Sequence, residues 1–245
     1  VGRGVVRRQG QRCIRDSFNW VAYRYDVAGN LVEKAQEGQS TNLFWDSDNQ
    51  LVKSVNNNGQ TTDYIYDSLG RRVSKNIDTL TRQFFWDDED LLAEKFGRDV
   101  HEFVYHPDTS EPLALIKNGE VFYYQNDVNG APLELCSCSG EIVWAAEYTV
   151  FGEGGVEPGR NVDNPLRLEG QYFDVETGFC YAKARYFDAD INAFNSQDPL
   201  GLSAGRNLYW YGPNIFAWID PTGLSCSKKN NYVSALRDKK DQYLK

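Results

Sequence analysis

Short runs of alternating apolar and polar residues cover most of this chain. The run from Thr62 to Tyr66 is an example: it ends in an aromatic residue, and an aspartate follows it. A period of two predicts half-buried β-strands. Because a polar turn rich in Asp, Asn or Gly follows each run, each unit predicts a β-hairpin. Residues 16–160 contain no useful length of helical periodicity.

The hairpin units repeat about every 20 residues along the chain. Aromatic-Asp pairs begin the turns of the four clearest copies, which are Tyr25-Asp26, Trp45-Asp46, Tyr66-Asp67 and Trp86-Asp87. Weaker copies follow at Tyr105-His106, Asn126-Asp127 and Tyr148-Thr149. An antiparallel sandwich also spaces its strands regularly. The fixed period favours a repeat architecture, in which each hairpin packs against its neighbours.

Composition changes along the chain predict four parts. We expect a basic leader over 1–15, a sheet of repeats over 16–160, an aromatic-rich module over 161–224 and a separate segment over 225–245. A Gly- and Pro-rich connector over 152–165 separates the second part from the third. Apolar residues after Asn230 share one helical face, which predicts a short helical tail. Since the chain starts at Val1 and contains no Met, we also expect a fragment or a processed product.

Charge supports the last of these boundaries. Residues 225–245 contain six Lys or Arg and two Asp, a balance of +4, which leaves −13 on residues 1–224 out of a net −9. Such a break marks a boundary near residue 224. This acidic balance argues against nucleic-acid binding by residues 1–224, although the basic tail is weakly compatible with a nuclease. No apolar stretch is long enough for a transmembrane helix.

Metal and cofactor chemistry has little support in the sequence. The five cysteines are irregularly spaced, and the one close pair, Cys136 and Cys138, has no second pair or histidine cluster to complete a zinc site. We therefore expect reduced thiols, no metal and no cofactor. The two histidines, His101 and His106, are expected on strand surfaces, so no Ser/His/Asp triad is predicted. Cys226 has no histidine nearby in sequence to activate it.

A pentapeptide occurs twice near the C-terminus. Asp198-Pro199-Leu200-Gly201-Leu202 is followed 22 residues later by Asp220-Pro221-Thr222-Gly223-Leu224. This distance is about one repeat, and equivalent positions on neighbouring strands lie about 5 Å apart. Two carboxylates at that separation repel each other and can share a proton, as in an aspartic protease. Asp-Pro-x-Gly is also a common turn sequence, and the two roles are compatible.

The same region resembles a known family. The segments Gly170–Gly178, Tyr181–Asp188, Phe194–Leu202, Asn207–Tyr211 and Asp220–Leu224 resemble the core-associated region of Rhs (rearrangement hotspot) proteins. The upstream units resemble the YD (Tyr-Asp) repeats of those proteins, so the resemblance covers about residues 16–224. It implies an all-β fold of repeated hairpins, part of a spiralling β-cocoon that encloses a toxin. An inward-spiralling plug closes the cocoon, and seven repeats are too few for a complete one.

The resemblance also implies a reaction. In Rhs proteins the core-associated module cuts the toxin free after the second pentapeptide, which here is the bond between Leu224 and Ser225. Asp198 and Asp220 would be the catalytic pair. Arg185 matches the family's functional arginine, although it could instead form a structural ion pair with Asp188, and Arg206 is the alternative arginine. A guanidinium beside two carboxylates stabilises the ionised form.

The implied partners are the chain's own toxin segment, the remainder of the shell, a cognate immunity protein and secretion machinery. The protein would be made in the bacterial cytoplasm and delivered to target cells. The alternative function is a noncatalytic YD-repeat scaffold for adhesion or carbohydrate binding. Aromatic side chains can stack on sugars, but their alternation is explained more simply by sheet packing. Adhesion also has no need of the doubled pentapeptide.

Overall fold

The computed structural model describes residues 14–18, 21–107, 109–148, 154–156, 162–212, 218–224 and 226–228. Within these ranges the chain forms 21 β-strands, one turn of 3-10 helix at Gly201–Ser203 and no α-helix. The all-β prediction is therefore confirmed. The predicted helical tail and Ser225 lie outside the described residues. No helix in the described part of the chain is long and apolar enough to cross a membrane.

Fifteen strands form one antiparallel sheet in strict sequence order. They are β1 Ile14–Phe18, β2 Val21–Tyr25, β3 Leu31–Gln36, β4 Gln39–Trp45, β5 Leu51–Asn56, β6 Thr61–Tyr66, β7 Arg72–Ile77, β8 Leu80–Asp87, β9 Asp90–Phe96, β10 Asp99–Tyr105, β11 Pro112–Lys117, β12 Glu120–Asn126, β13 Pro132–Ser137, β14 Ile142–Tyr148 and β15 Gly154–Val156. Because each strand pairs with its sequence neighbours, the sheet is built hairpin by hairpin. Its first strand begins at Ile14, within the segment assigned to the leader.

In several repeats an aspartate builds the turn between two strands. Oδ1 of Asp67 accepts hydrogen bonds from the backbone N–H groups of Leu69 and Arg71, both at 2.9 Å. The N–H of Gly70 donates to the Asp67 carbonyl at 3.0 Å, and Gly70 adopts a φ of 79°. A short acceptor side chain and a residue that tolerates positive φ are what such a turn requires. Asp46, Asn56 and Asp127 form the same turn.

The aromatic residue before the aspartate closes the open end of its hairpin. The Tyr66 hydroxyl donates to the carbonyl of Leu51, the first residue of the preceding strand, at 2.8 Å. The equivalent bonds are Trp45 to Leu31 at 2.6 Å, Trp86 to Arg72 at 2.8 Å, Tyr105 to Leu91 at 2.9 Å and Asn126 to Pro112 at 2.7 Å. Each such bond contributes about 1 kcal/mol. The copy that carries Asn126 is therefore complete in structure although its aromatic residue is missing.

The C-terminal module packs against one face of this sheet. It contains a four-stranded sheet, in the order β16 Tyr172–Asp174, β17 Phe179–Ala182, β18 Arg185–Asp188 and β19 Ala193–Phe194, and a two-stranded sheet of β20 Trp218–Ile219 and β21 Ser227–Lys228. We call the covered face, which carries Tyr64, Phe84 and Phe122, the inner face. The Phe84 and Tyr172 rings meet edge to face at 5.3 Å across the boundary.

Buried ion pairs fix the module on the inner face. The Asp174 carboxylate is fully buried; it pairs with Arg72 and lies 2.7 Å from Lys75 Nζ. Burial alone would raise the pKa of Asp174, but the charges of Arg72 and Lys75 lower it. Removing one partner of such a pair leaves an uncompensated buried charge, which makes the pair costly to break.

His101 does not lie on an exposed strand surface, so that prediction is wrong. Its side chain is buried on the inner face, and Nδ1 lies 2.8 Å from Glu94 Oε1. Glu94 also accepts a hydrogen bond from the Tyr172 hydroxyl at 2.6 Å and pairs with Arg82 at 2.7 Å. The alternation on β10 turns position 101 inward beside Phe103. His106 is exposed as predicted, but it lies in the turn after β10 and not on a strand.

Candidate functional site

Arg185 begins β18, a strand of four buried residues. The residue is 2% exposed, and its guanidinium stacks on the Phe194 ring at 3.6 Å from the ring centroid. Nη1 donates to the Leu208 carbonyl at 3.1 Å. An aromatic face and fixed acceptors hold the planar group in one orientation.

Both predicted carboxylates meet this guanidinium. Nη2 of Arg185 lies 2.8 Å from Asp198 Oδ2 and 3.4 Å from Asp220 Oδ2. Asp198 is 7% exposed and Asp220 1%. The structure therefore brings the three predicted site residues together in a buried cluster.

The two alternatives to this arrangement do not occur. Asp188 pairs with Lys34 Nζ at 2.9 Å, and Arg185 pairs with the pentapeptide aspartates instead. Arg206, the alternative arginine, is exposed.

The aspartates do not meet on neighbouring strands, so that part of the prediction is wrong. Asp198 follows β19 of the four-stranded sheet, whereas Asp220 follows β20 of the two-stranded sheet. Both side chains reach Arg185 from loops. Repeat-length spacing is thus not what joins them, because the regular sheet ends before the module begins.

Each aspartate also forms a turn like that of the repeats. Oδ1 of Asp198 accepts the N–H of Leu200 at 2.9 Å, and Oδ1 of Asp220 accepts the N–H of Leu224 at 3.1 Å. Gly201 and Gly223 donate to the corresponding aspartate carbonyls at 2.9 and 3.3 Å. One carboxylate oxygen therefore builds the turn and the other faces the arginine.

The backbone of the second pentapeptide is held tightly beside Arg185. The Arg185 Nε–H donates to the Gly223 carbonyl, and the Ala184 N–H donates to the Thr222 carbonyl at 3.1 Å. Gly223 has a φ of 70°, and a Cβ there would lie 2.5 Å from the Ala182 carbonyl oxygen. Only glycine fits this position. Leu224 is half-buried at the end of the described loop.

Burial governs the charges of the site. It lowers the pKa of Arg185, and the charges of Asp198 and Asp220 oppose that shift. Burial and the nearby Asp220 raise the pKa of the Cys226 thiol, which disfavours the thiolate that a cysteine nucleophile needs. The described residues contain no group of three or more His, Cys, Asp or Glu able to hold a metal ion.

Sequence reasoning missed three residues beside the site. Gly170, with a φ of 79°, lies so close to Pro221 that a Cβ would come within 2.4 Å of it. Phe194 supports the arginine, and Tyr211 contacts Asp220. Gly170 and Tyr211 are not residue types that a search for catalytic acids, bases and nucleophiles selects first, although both lie inside the segments that resemble the Rhs core.

Aromatic-Asp hairpins covered on one face by a module with paired pentapeptides define a YD-repeat shell protein. The family model described as Teneurin YD-shell matches residues 10–205, and the chain belongs to this family. The relatives also support the Rhs resemblance.

Two curated bacterial toxins are among these relatives. The chain is 36% identical over 160 residues to double-stranded DNA deaminase toxin A of Burkholderia cenocepacia (strain H111), covering 56% of this chain and 11% of that protein. It is 31% identical to toxin protein Tse5 of Pseudomonas aeruginosa over 91% of this chain and 20% of that protein. The chain thus spans a fifth or less of these relatives.

Solved structures share the fold. The crystal structure of TcdB2-TccC3-Cdc42 superposes with a TM-score of 0.66 and 20% identity, covering 86% of this chain and 11% of that one. A structure of the Photorhabdus luminescens Tc holotoxin pore gives a TM-score of 0.64 at 20% identity, over 83% of this chain and 11% of that one. At these identities the likeness supports the fold alone.

Proposed function

We propose that this chain is the C-terminal part of an Rhs-type toxin shell that cuts itself once, between Leu224 and Ser225. One observation carries the proposal: the guanidinium that joins Asp198 and Asp220 also donates a hydrogen bond to the Gly223 carbonyl. A purely structural ion pair has no need to hold the backbone next to the proposed cut.

Charge balance favours acid–base chemistry in this site. In the proposed reaction the two carboxylates that face one guanidinium share a single proton, as a close pair of carboxylates can. In the proposed reaction the ionised carboxylate takes a proton from water, and the protonated one polarises the Leu224 carbonyl. The water oxygen bonds to the Leu224 carbonyl carbon, the C–N bond breaks, and the departing Ser225 nitrogen takes up a proton.

Cleavage within one chain explains why one turnover suffices. The turn of the second pentapeptide holds the Leu224–Ser225 bond beside the carboxylates. Asp220 accepts the Leu224 N–H, and Arg185 donates to the Gly223 carbonyl. Holding reacting groups in place replaces substrate affinity. A site built in this way acts on its own chain and on no other.

The proposed product is a toxin segment that begins at Ser225. The relatives are named as toxins, one a double-stranded DNA deaminase toxin and another Tse5. Those names support a delivered bacterial toxin as the general class. The proposed partners are this segment, the remainder of the shell, a cognate immunity protein and the secretion machinery that carries the toxin from the bacterial cytoplasm to target cells.

Mass spectrometry of the intact chain under denaturing conditions tests the cut. The proposal expects two fragments that meet at Leu224/Ser225 for the wild type and one uncut species for Asp198→Asn and for Asp220→Asn. Asp63→Asn, which changes an exposed carboxylate 3.8 Å from Lys53, is the matched control and is expected to be cut. Cleavage at the same bond in Asp220→Asn would overturn the mechanism.

An uncut wild type would favour the noncatalytic scaffold. One observation favours that second function: Phe44 and Phe85 are each 50% exposed. Exposed aromatic faces can stack on sugars. A glycan array with the wild type and with Phe44→Ala tests it, and an array without binding would remove the carbohydrate-binding form of this alternative.

A further inference from the structure

Two aromatic residues line the buried side of the proposed cleavage site without entering its chemistry. The Phe194 ring lies against the Arg185 guanidinium. The Tyr211 ring packs against Phe187 at 4.9 Å and against Phe194 at 5.8 Å between centroids. Together Phe194 and Tyr211 form an aromatic floor under the site.

Tyr211 connects this floor to the second aspartate. The residue is 1% exposed, and its hydroxyl oxygen accepts a hydrogen bond from the Asp220 backbone N–H at 3.3 Å. Asp220 follows a strand of only two residues, Trp218–Ile219, so little regular pairing holds its backbone. A buried N–H without an acceptor is unfavourable, so this contact stabilises the position of the Asp220 backbone.

We infer that Tyr211 is a positioning residue for the cleavage, because it fixes Asp220 on the same aromatic floor that orients Arg185. The inference rests on the proposed function, since it concerns the efficiency of that cut. The same aromatic floor contacts both members of the ion pair. Arg185 stacks on the face of Phe194, and the backbone N–H of Asp220 donates to the Tyr211 hydroxyl. Removing the hydroxyl leaves the floor in place and releases the aspartate from it.

The titratable groups around Tyr211 define how it acts. Asp220 approaches from the loop after β20, Glu169 from the turn before β16 and Cys226 from the residue before β21. Arg185, on β18, and Tyr211 both contact the Phe194 ring. Burial raises the pKa of the Tyr211 hydroxyl, and the charges of Asp220 and Glu169 add to that shift. The phenol therefore stays neutral and serves as a fixed dipole rather than as an acid.

The test is Tyr211→Phe in the full chain. Timed cell-free synthesis followed by intact mass spectrometry gives the cleavage rate at several pH values. We expect the rate to fall about tenfold or more, because small misplacements of reacting groups cost that much. We also expect the acid limb of the pH–rate profile to move to higher pH. A looser contact with Arg185 stabilises the negative charge shared by the pair less, so acid would abolish the cut at a higher pH.

Tyr124→Phe is the matched control. Tyr124 is also buried, and its hydroxyl donates to Asn164 Oδ1 at 2.9 Å on the inner face, outside the site. This variant loses a comparable hydrogen bond and should cleave with the wild-type rate and pH profile. Thermal unfolding of both variants shows whether their losses of stability match.

Each remaining outcome has one meaning. Tyr211→Phe with the rate and pH profile of Tyr124→Phe would overturn the inference and leave the proposed function intact. A wild type that is never cut would overturn the proposed function itself. Phe194→Leu provides a second variant, since it keeps an apolar side chain but removes the ring face under Arg185. Wild-type cleavage in that variant would overturn the role of the floor.

Discussion

The two copies of the pentapeptide have the same turn and opposite surroundings. In the first copy Leu200 and Leu202 are 50% and 80% exposed, and one turn of 3-10 helix begins at Gly201. In the second copy the equivalent residues Thr222 and Leu224 are half-buried, and the backbone at Gly223 lies against β18. Asp198 and Asp220 nevertheless contact the same arginine.

The difference shows how the same pentapeptide can have two roles in one site. Arg185 pairs with the side chain of Asp198 in the first copy, and it binds both the side chain and the backbone of the second. Under the proposed function the first copy supplies a carboxylate and the second supplies a carboxylate and the bond to be cut. The turn itself is common to both, so contacts made by other elements separate the two roles.

The largest expected effect comes from filling the space at the second glycine. Gly223→Ala would place a Cβ 2.5 Å from the Ala182 carbonyl oxygen, whereas Gly201, also at positive φ, has nothing within 4 Å. We expect Gly223→Ala to slow the cut by about 100-fold or more. Gly201→Ala should cost about 1 kcal/mol of stability from backbone strain alone.

Timed cleavage and urea unfolding of the two glycine variants measure this contrast. Equal cleavage rates in Gly223→Ala and Gly201→Ala would show that the two copies are equivalent and would contradict the comparison.

The second effect concerns the arginine that both copies share. Arg185→Lys keeps the charge but loses the fork that reaches Asp198, Asp220 and the Gly223 carbonyl together. We expect cleavage to slow about 10- to 100-fold, with a smaller loss of stability. Arg206→Lys, at an exposed arginine, is the control. Cleavage at the wild-type rate in Arg185→Lys would mean that a positive charge at this position is sufficient for the cut and that the guanidinium fork is not needed.

The third effect separates support by the sheet from chemistry at the site. Burial alone would raise the pKa of Glu94, but hydrogen bonds from His101 and Tyr172 and the charge of Arg82 lower it from 4.5 to about 2. A lowered pKa stabilises the folded protein above pH 4.5, and this contribution is lost as the pH falls from 4.5 towards 2.

We therefore expect the free energy of unfolding to fall by about 3 kcal/mol over that acid range because of Glu94. Urea unfolding at pH 5 and pH 2.5 measures it. Glu94→Gln should be less stable at pH 7 and should lose much of this acid dependence. An unchanged acid dependence in that variant would exclude Glu94 as its source.

The smallest effect concerns the final leucines. Leu202→Ala should leave the cleavage rate unchanged and the free energy of unfolding within about 0.5 kcal/mol of the wild type, as at exposed positions in general. Leu224→Ala, at a half-buried position next to the proposed bond, should slow the cut by about tenfold. The ratio of the two cleavage rates is the measurement. A larger effect from Leu202→Ala would reverse the roles assigned to the two copies.

The repeats were predictable because their structure is local. The alternation in Thr62–Tyr66 and the aspartate after it contain both the strand and its turn, and the turn bonds join residues no more than four apart. The repeat at Asn126 was harder to predict from the sequence, because an amide replaces the aromatic ring. Its side chain still donates the equivalent hydrogen bond to the Pro112 carbonyl. His101 was mispredicted because the partner that buries it, the module carrying Tyr172, arrives from far along the chain.

By itself the sequence determined the hairpin period, the all-β class and three residues that the fold brings together at one site, Arg185, Asp198 and Asp220. Only the tertiary structure decided how they meet, because the two aspartates approach one guanidinium from loops of separate sheets. It also decided which pentapeptide is held by its backbone. Local turns follow from nearby residues, whereas a buried charge cluster depends on distant elements excluding water together.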